Sequence, residues 1–319
     1  MIRMDLSGII FETLEILELI LPIMFFGLFL ASFLCLSPYF KHIGLPMSRL
    51  ASVSNLPTEC STVLTMFFFN NWATLAMLSD FYRRRLVSEK EIIVTMLVGF
   101  LPKGVHVTLF FMAPIAISVL GFSIGGAYVL MEFLIYFAVT IIGIGIGKLW
   151  LCPQTIKICE GRRQCEILSW TERIKKSLKE SMIQFKKVVV VFIPTVITIQ
   201  FLLGLGVLDL VTKYCGPVLD AIGLPPSSMI VIAASFMSQM AAIGAVGTLF
   251  KSGFLSPLHC LLLLFIAHFL HMGIECIRLG LPMNISLFGR SLGLKATLIT
   301  YSMLELNMAF IILLLYSII

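Results

Sequence analysis

Charge is scarce in this chain: Asp, Glu, Lys and Arg make up only 13% of its 319 residues, against roughly 25% in a soluble domain. With 59% hydrophobic residues and a mean hydropathy of +1.03, that scarcity excludes an ordinary cytosolic enzyme. A basic face for nucleic acid is also lacking. The net charge of +6 comes entirely from residues 148–187, which hold ten basic and four acidic residues; the rest of the chain balances at 13 against 13. Neither is there the pattern of a cleavable leader: Asp5, Glu12, Glu15 and Glu18 stand where a basic start and a clean apolar core belong, so the first apolar segment is expected to stay. The cysteines at 35, 60, 152, 159, 165, 215, 260 and 276 follow neither a disulfide framework nor a zinc spacing. Free thiols are expected, including Cys152, Cys159 and Cys165 in the basic stretch.

Long apolar runs fill the remainder. A helix crosses the bilayer core in about 20 residues, and runs of that order fall at 16–37, 60–80, 92–120, 123–148, 188–212, 228–250, 255–282 and 296–317. The expectation is an all-α polytopic membrane protein with about 8 to 10 transmembrane or re-entrant helices, multi-pass in the cell membrane. The basic stretch reads as a cytoplasmic linker by the positive-inside rule, with 171–187 as an amphipathic helix on the membrane surface. Eight crossings with both ends inside would place Arg83, Arg84, Arg85, Lys90 and Lys251 in the cytoplasm with the linker. Lys41, Arg49, Lys213, Arg290 and Lys295 would lie outside.

The apolar part repeats itself. Pro38 with Ile43, Gly44, Leu45 and Pro46 is matched by Pro217 with Ile222, Gly223, Leu224 and Pro225. Pro114, Ile117 and Ser118 are matched by Pro282, Ile285 and Ser286, and Tyr128 with Glu132 by Tyr301 with Glu305. This divides the chain into a first membrane repeat (1–148), the linker (149–187) and a second repeat (188–319). Whether the repeats are parallel or inverted stays open. Duplicated helical units of this kind hold solute near the midplane of the bilayer, at the repeat interface.

Chemistry is carried by breaks and by stranded charges. Leu101–His106 interrupts one span and Leu56–Cys60 begins another, freeing backbone groups that must face protein or water. Glu59, Lys103, Glu132, Glu275, Arg278 and Glu305 lie in or beside apolar runs, where an unpaired charge opposes insertion by about 3 kcal/mol. His268, His271 and Glu275 share a helix face, with Cys276 adjacent. Imidazole and carboxylate suit divalent metals, so this set is a candidate cation site. Superposing Gly104 on Gly273 sets His106 against Glu275, and Glu59 and Cys60 fall against Ser238 and Gln239. Glu59, Cys60, Lys103, His106, Gln239, His268, His271, Glu275 and Arg278 are expected to line a solute path, with Glu132 and Glu305 coupling it to protons. Gly121–Gly125 resembles a nucleophile elbow but joins two apolar helices rather than strand and helix. Gly143, Gly145 and Gly147 lack the spacing of a phosphate loop and suit close helix packing.

The duplicated unit, the break in Phe100–Pro114 and its partner in Phe269–Pro282 resemble the Gate, or nucleoside-recognition, family of membrane proteins, whose repeat also occurs in ferrous-iron permeases. The resemblance implies a helical permease. Lys103 stands near the place of the iron permeases' cysteine, and no GTPase domain is expected ahead of the membrane part, so the resemblance by itself implies neither iron specificity nor nucleotide coupling. The expected activity is transport of a small polar or ionic solute, divalent metal and nucleoside-like molecules among them. No cofactor is firmly implied, and the partners are the lipid bilayer, the solute and a second copy of the chain in a homo-oligomer. The alternatives are an intramembrane metal-dependent enzyme and a scaffold acting through the linker.

Overall fold

A computed structural model describes residues 44–69, 71–152, 169–204 and 224–318, together with single positions between 14 and 33. Among the described residues the structure is helical, with no strand. The helices are α1 (Gly44–Val53), α2 (Thr58–Met66), α3 (Asn71–Arg83), α4 (Glu89–Trp150), α5 (Trp170–Gly204), α6 (Ser228–Met237), α7 (Gln239–Lys251), α8 (Pro257–Phe288) and α9 (Arg290–Tyr316). Of these, α4, α8 and α9 are long and apolar enough to cross a membrane, so the protein is an all-α membrane protein.

Straight, the 62 residues of α4 would extend about 93 Å at 1.5 Å each, three times the apolar core of a bilayer. Gly121 folds it in two. Its φ of 77° and ψ of 170° lie in a region that is essentially glycine-only, and the chain doubles back there into arms 89–120 and 122–150. The arms pack antiparallel. A methyl on Gly143 would lie 2.8 Å from the Leu97 Cβ, one on Gly104 2.7 Å from the Tyr136 Cβ, and one on Gly125 2.5 Å from the Ala116 carbonyl oxygen. Gly289 (φ 85°, ψ 166°) makes the same turn between α8 and α9, and Gly293 packs on Asn284 as Gly125 does on Ala116.

Each hairpin starts on a serine cap. Ser88 Oγ accepts from the Glu91 amide while Glu91 returns a bond to the Ser88 amide, and Ser256 Oγ accepts from the His259 amide ahead of Pro257. Midway, Val105–Met112 and Cys276–Gly280 widen into π-helix. Each stretch ends just before a proline, Pro114 or Pro282, whose ring clashes with the carbonyl four residues back; a wider turn relieves it. The interruption expected at Leu101–His106 is therefore a passage from α- into π-helix, not an unwound gap.

The runs 60–80 and 228–250 do not cross as single helices. α2 and α3 form a short pair, as do α6 and α7, and at 9 to 13 residues each their helices reach only about half of a 30 Å core. Phe67 packs on Gly99, Asn71 and Leu75 lie beside Met96 and Phe100, and Ser79 Oγ donates to the Leu287 carbonyl at 2.6 Å. α3 therefore rises from mid-depth to the end that bears Arg83–Ser88, which also receives the Gly289 turn. The other pair is inverted: Gln239 starts beside Tyr128 and Gly247 packs on Val119, next to the Gly121 turn. The contacts 79 with 287 and 247 with 119 exchange partners at one offset, 168 residues. Ser88 and Ser256, Arg85 (φ 58°) and Gly253 (φ 78°), and Gly121 and Gly289 keep the same spacing.

This register changes three pairings. Gln239 stands against Asn71, and not with Glu59 and Cys60. Gly104 and Gly273 are one residue out, so His106 and Glu275 do not correspond. Glu132 matches Thr300, because Tyr301 and Glu305 lie five residues beyond the register. The charge assignment changes as well. Arg290 and Lys295 start α9 at the end that carries Arg83, Arg84, Arg85, Lys90 and Lys148, whereas Lys251 ends α7 at the opposite one. α5 runs unbroken from Trp170 to Gly204, so the amphipathic stretch 171–187 continues into the apolar run. Its Arg173 is buried, with the guanidinium 5.0 Å from the Trp170 ring centre. Lys41, Pro38, Ile43, residues 153–168 and residues 205–223, with Cys35, Cys159, Cys165, Lys213, Cys215, Pro217, Ile222 and Gly223, lie outside the described residues.

Candidate solute cavity

Lys103 lies near the middle of arm 89–120 and Glu275 just past the middle of α8, with the N-terminus of α3 ending at their level. Between them is a cavity of about 60 Å³. Phe67, Asn71, Leu75, Met96, Phe100 and Lys103 form one wall, all from the first half of the chain; Glu275, Gly280, Met283, Asn284, Thr300 and Tyr301 form the other, all from the second. The Lys103 Nζ lies 5.4 Å from the centre of the Phe100 ring. Among the described residues no carboxylate comes within 4 Å of it. Glu275 Oε2 is 3.7 Å from His271 Nε2. The other His271 nitrogen, Nδ1, sits 3.0 Å from the Ser235 carbonyl oxygen, which can only accept, so Nδ1 carries the proton and donates. With Nδ1 donating to Ser235, Nε2 can donate to the Glu275 carboxylate only in the doubly protonated ring, and in that form His271 links the carboxylate of the cavity to α6. Asn284 is 3% exposed; its Nδ2 donates to Thr297 Oγ1 at 2.9 Å, and its Oδ1 has no partner.

A second polar cluster lies toward the Gly121 turn. Gln239 Nε2 donates to the Tyr128 hydroxyl at 2.8 Å; that hydroxyl lies 3.5 Å from His268 Nδ1, and the same nitrogen is 3.6 Å from Glu132 Oε1. Glu132 is 1% exposed and neither of its oxygens has a hydrogen-bond partner. At the level of the register this cluster is the counterpart of the cavity, with Gln239 for Asn71 and Glu132 for Thr300, but it is filled where the other is open.

The expected set of His268, His271 and Glu275 does not converge. His268 turns to Tyr128 and Glu132 while His271 turns to Ser235 and Glu275: the two rings sit about 60° apart on α8, and each meets a different neighbouring helix. Among the described residues no three His, Cys, Asp or Glu side chains are grouped as metal ligands. Glu59 and Cys60 sit in the first turn of α2, with Cys60 beside Thr95, about 12 Å along the arm from Lys103. His106 is half-buried in the π stretch with Nδ1 unpartnered, and Arg278 is exposed; neither lines the cavity. Glu305 is half-buried, both oxygens unpartnered, facing Gly273. Cys60, Cys152, Cys260 and Cys276 are free thiols. Sequence reasoning missed Asn71, Asn284, Thr300 and Tyr301. The 168-residue register carried by Pro114 and Pro282, extended back to Gln239, was the signal that leads to Asn71.

Fold and cavity together define a polytopic helical membrane protein with a cavity near the middle of its long helices. Residues 185–319 match the Gate family, described as nucleoside recognition, the family that the duplicated unit and its breaks resemble. Uncharacterized protein MJ0880 of Methanocaldococcus jannaschii is 29% identical over 266 residues, 83% of this chain and 86% of that one. Uncharacterized protein MJ1589 of the same organism is 28% identical over 80% of this chain and 98% of its own length. No solved structure matches.

Proposed function

We propose that the chain is a membrane transporter built from two inverted repeats, moving a small polar or ionic solute through the chamber between Lys103 and Glu275. The observation that carries this reading is the chamber itself: opposite charges from the two halves, at mid-depth, with one helix pair reaching inward from each end of the bundle. Half-length helices that end inside a bilayer are tolerated only where they line protein or a wet cavity, and midplane sites between repeats are where such proteins hold solute. The Gate description supports a polar organic solute. The end bearing Arg83–Arg85, Lys148 and Arg290 faces the cytoplasm of the cell membrane by the positive-inside rule, with the linker on that side.

Asn71, Lys103, Glu275, Asn284, Thr300 and Tyr301 form the solute site. His271 positions Glu275 and ties it to α6, so a movement of the α6–α7 pair reaches the site directly. Glu132, set between Tyr128 and His268, is the residue for proton coupling, with Glu305 as its second. The metal-dependent enzyme gains no observation, since no three ligands converge among the described residues. Uptake of a labelled solute panel by proteoliposomes tests the transport reading. Glu275→Gln is expected to reduce uptake at least tenfold with the protein still folded; full activity of that variant would remove the chamber from the path.

A further inference from the structure

Resting on that transport reading, the chemistry of the two cavity walls narrows the solute. The wall from the first half offers positive charge alone: the Lys103 ammonium, and the amino end of α3, whose first turn begins at Asn71 and contains no acidic residue. The helix dipole makes such an end attractive to an anion. The wall from the second half offers the reverse. Glu275 presents a carboxylate, and Asn284 a buried amide oxygen with no donor in reach. A buried acceptor left bare costs about 1–3 kcal/mol, so Asn284 Oδ1, closed to a water-sized group in this conformation, gains from any donor that reaches it.

Lys103 and Glu275 do not close on each other. A pair that served only itself would come to about 2.8 Å, yet among the described residues no ion pair within 4 Å joins them, and the cavity occupies the space between. At about 60 Å³ that space takes a few water-sized groups. It is far below the roughly 300–1,000 Å³ of a pocket for a drug-sized ligand, which is the scale of a molecule with a base and a sugar.

We infer that the solute is a small zwitterion of amino-acid type, its carboxylate toward Lys103 and the Asn71 end of α3 and its ammonium toward Glu275 and Asn284 Oδ1. A solute with one charge satisfies one wall and leaves the other bare. A dipolar molecule satisfies both and brings the two halves together across it.

Thermal unfolding of the full chain in detergent, titrated with glycine, acetate, methylammonium and uridine, tests the inference, because a ligand that binds the folded state raises its melting point. Glycine is expected to raise it at concentrations at least tenfold below those at which acetate or methylammonium acts. Lys103→Gln and Glu275→Gln should each weaken the glycine response at least tenfold. Asn284→Asp, a near-isosteric change at the bare acceptor, should strengthen the methylammonium response and serves if either charge variant fails to fold. A shift with uridine and none with glycine, abolished by Glu275→Gln, would overturn the zwitterion and keep the chamber. Responses that none of the three variants alters would overturn the chamber itself.

Discussion

At the scale of single residues, the chamber depends on side chains that are costly in a bilayer and on the glycines that let helices approach. Lys103, Glu132, Glu275 and Glu305 would each oppose insertion by about 3 kcal/mol in lipid; Lys103 and Glu275 face the cavity, and Glu132 is buried beside His268. Gly104 shows the other requirement. A methyl there would lie 2.7 Å from the Tyr136 Cβ, a rigid part of the facing arm, so Gly104→Ala is expected to destabilise the fold by about 1–3 kcal/mol through overpacking. The measurement is the melting temperature in detergent beside that of Gly145→Ala, where nothing lies within 4 Å and no loss is expected. The stranded charges could be read from the sequence because a charged residue in an apolar run is conspicuous there. Asn71, Asn284 and Thr300 could not: neutral polar residues are common in membrane helices, and only the fold shows which of them face a cavity.

At the scale of elements, two glycine turns and two serine caps organise the bundle. Gly121 and Gly289 occupy a backbone region closed to other residues, where a side chain costs about 1–3 kcal/mol. Gly121→Ala and Gly289→Ala are each expected to lower the melting temperature although nothing lies within 4 Å of either added methyl; an unchanged temperature would mean that the turns relax elsewhere. Hydrophobic runs at 92–120, 123–148, 255–282 and 296–317 correspond to the four long arms, since a span of that length has one way to satisfy its backbone in lipid. The runs at 60–80 and 228–250, which the sequence leaves as crossings or re-entrant pieces, form short helix pairs for a physical reason. Their apolar content is that of a span, and what breaks them is backbone geometry, with Ser238 extended at φ −169° and ψ 158°. The matching of Glu132 with Glu305 failed similarly: two residue types recurring at one spacing agree with several registers, whereas the turn and cap residues that position backbone agree with one.

At the scale of the whole molecule, the 168-residue register and the exchanged contacts of Ser79 with Leu287 and Gly247 with Val119 point to two units inserted in opposite directions. That arrangement brings α3 to mid-depth from one end and α7 from the other, and it gives the chamber one wall from each unit. It also gathers Arg290 and Lys295 with Arg83, Arg84, Arg85 and Lys148, a stronger charge bias than eight plain crossings would give. The opposite insertion is tested most directly by labelling single cysteines, placed at Phe122 and at Arg290 in a cysteine-free chain, with a membrane-impermeant maleimide on intact cells. Phe122 is 82% exposed beside the Gly121 turn, and Arg290 follows the Gly289 turn. Phe122→Cys is expected to react from outside and Arg290→Cys only after permeabilisation; reaction of both from the same side would contradict opposite insertion.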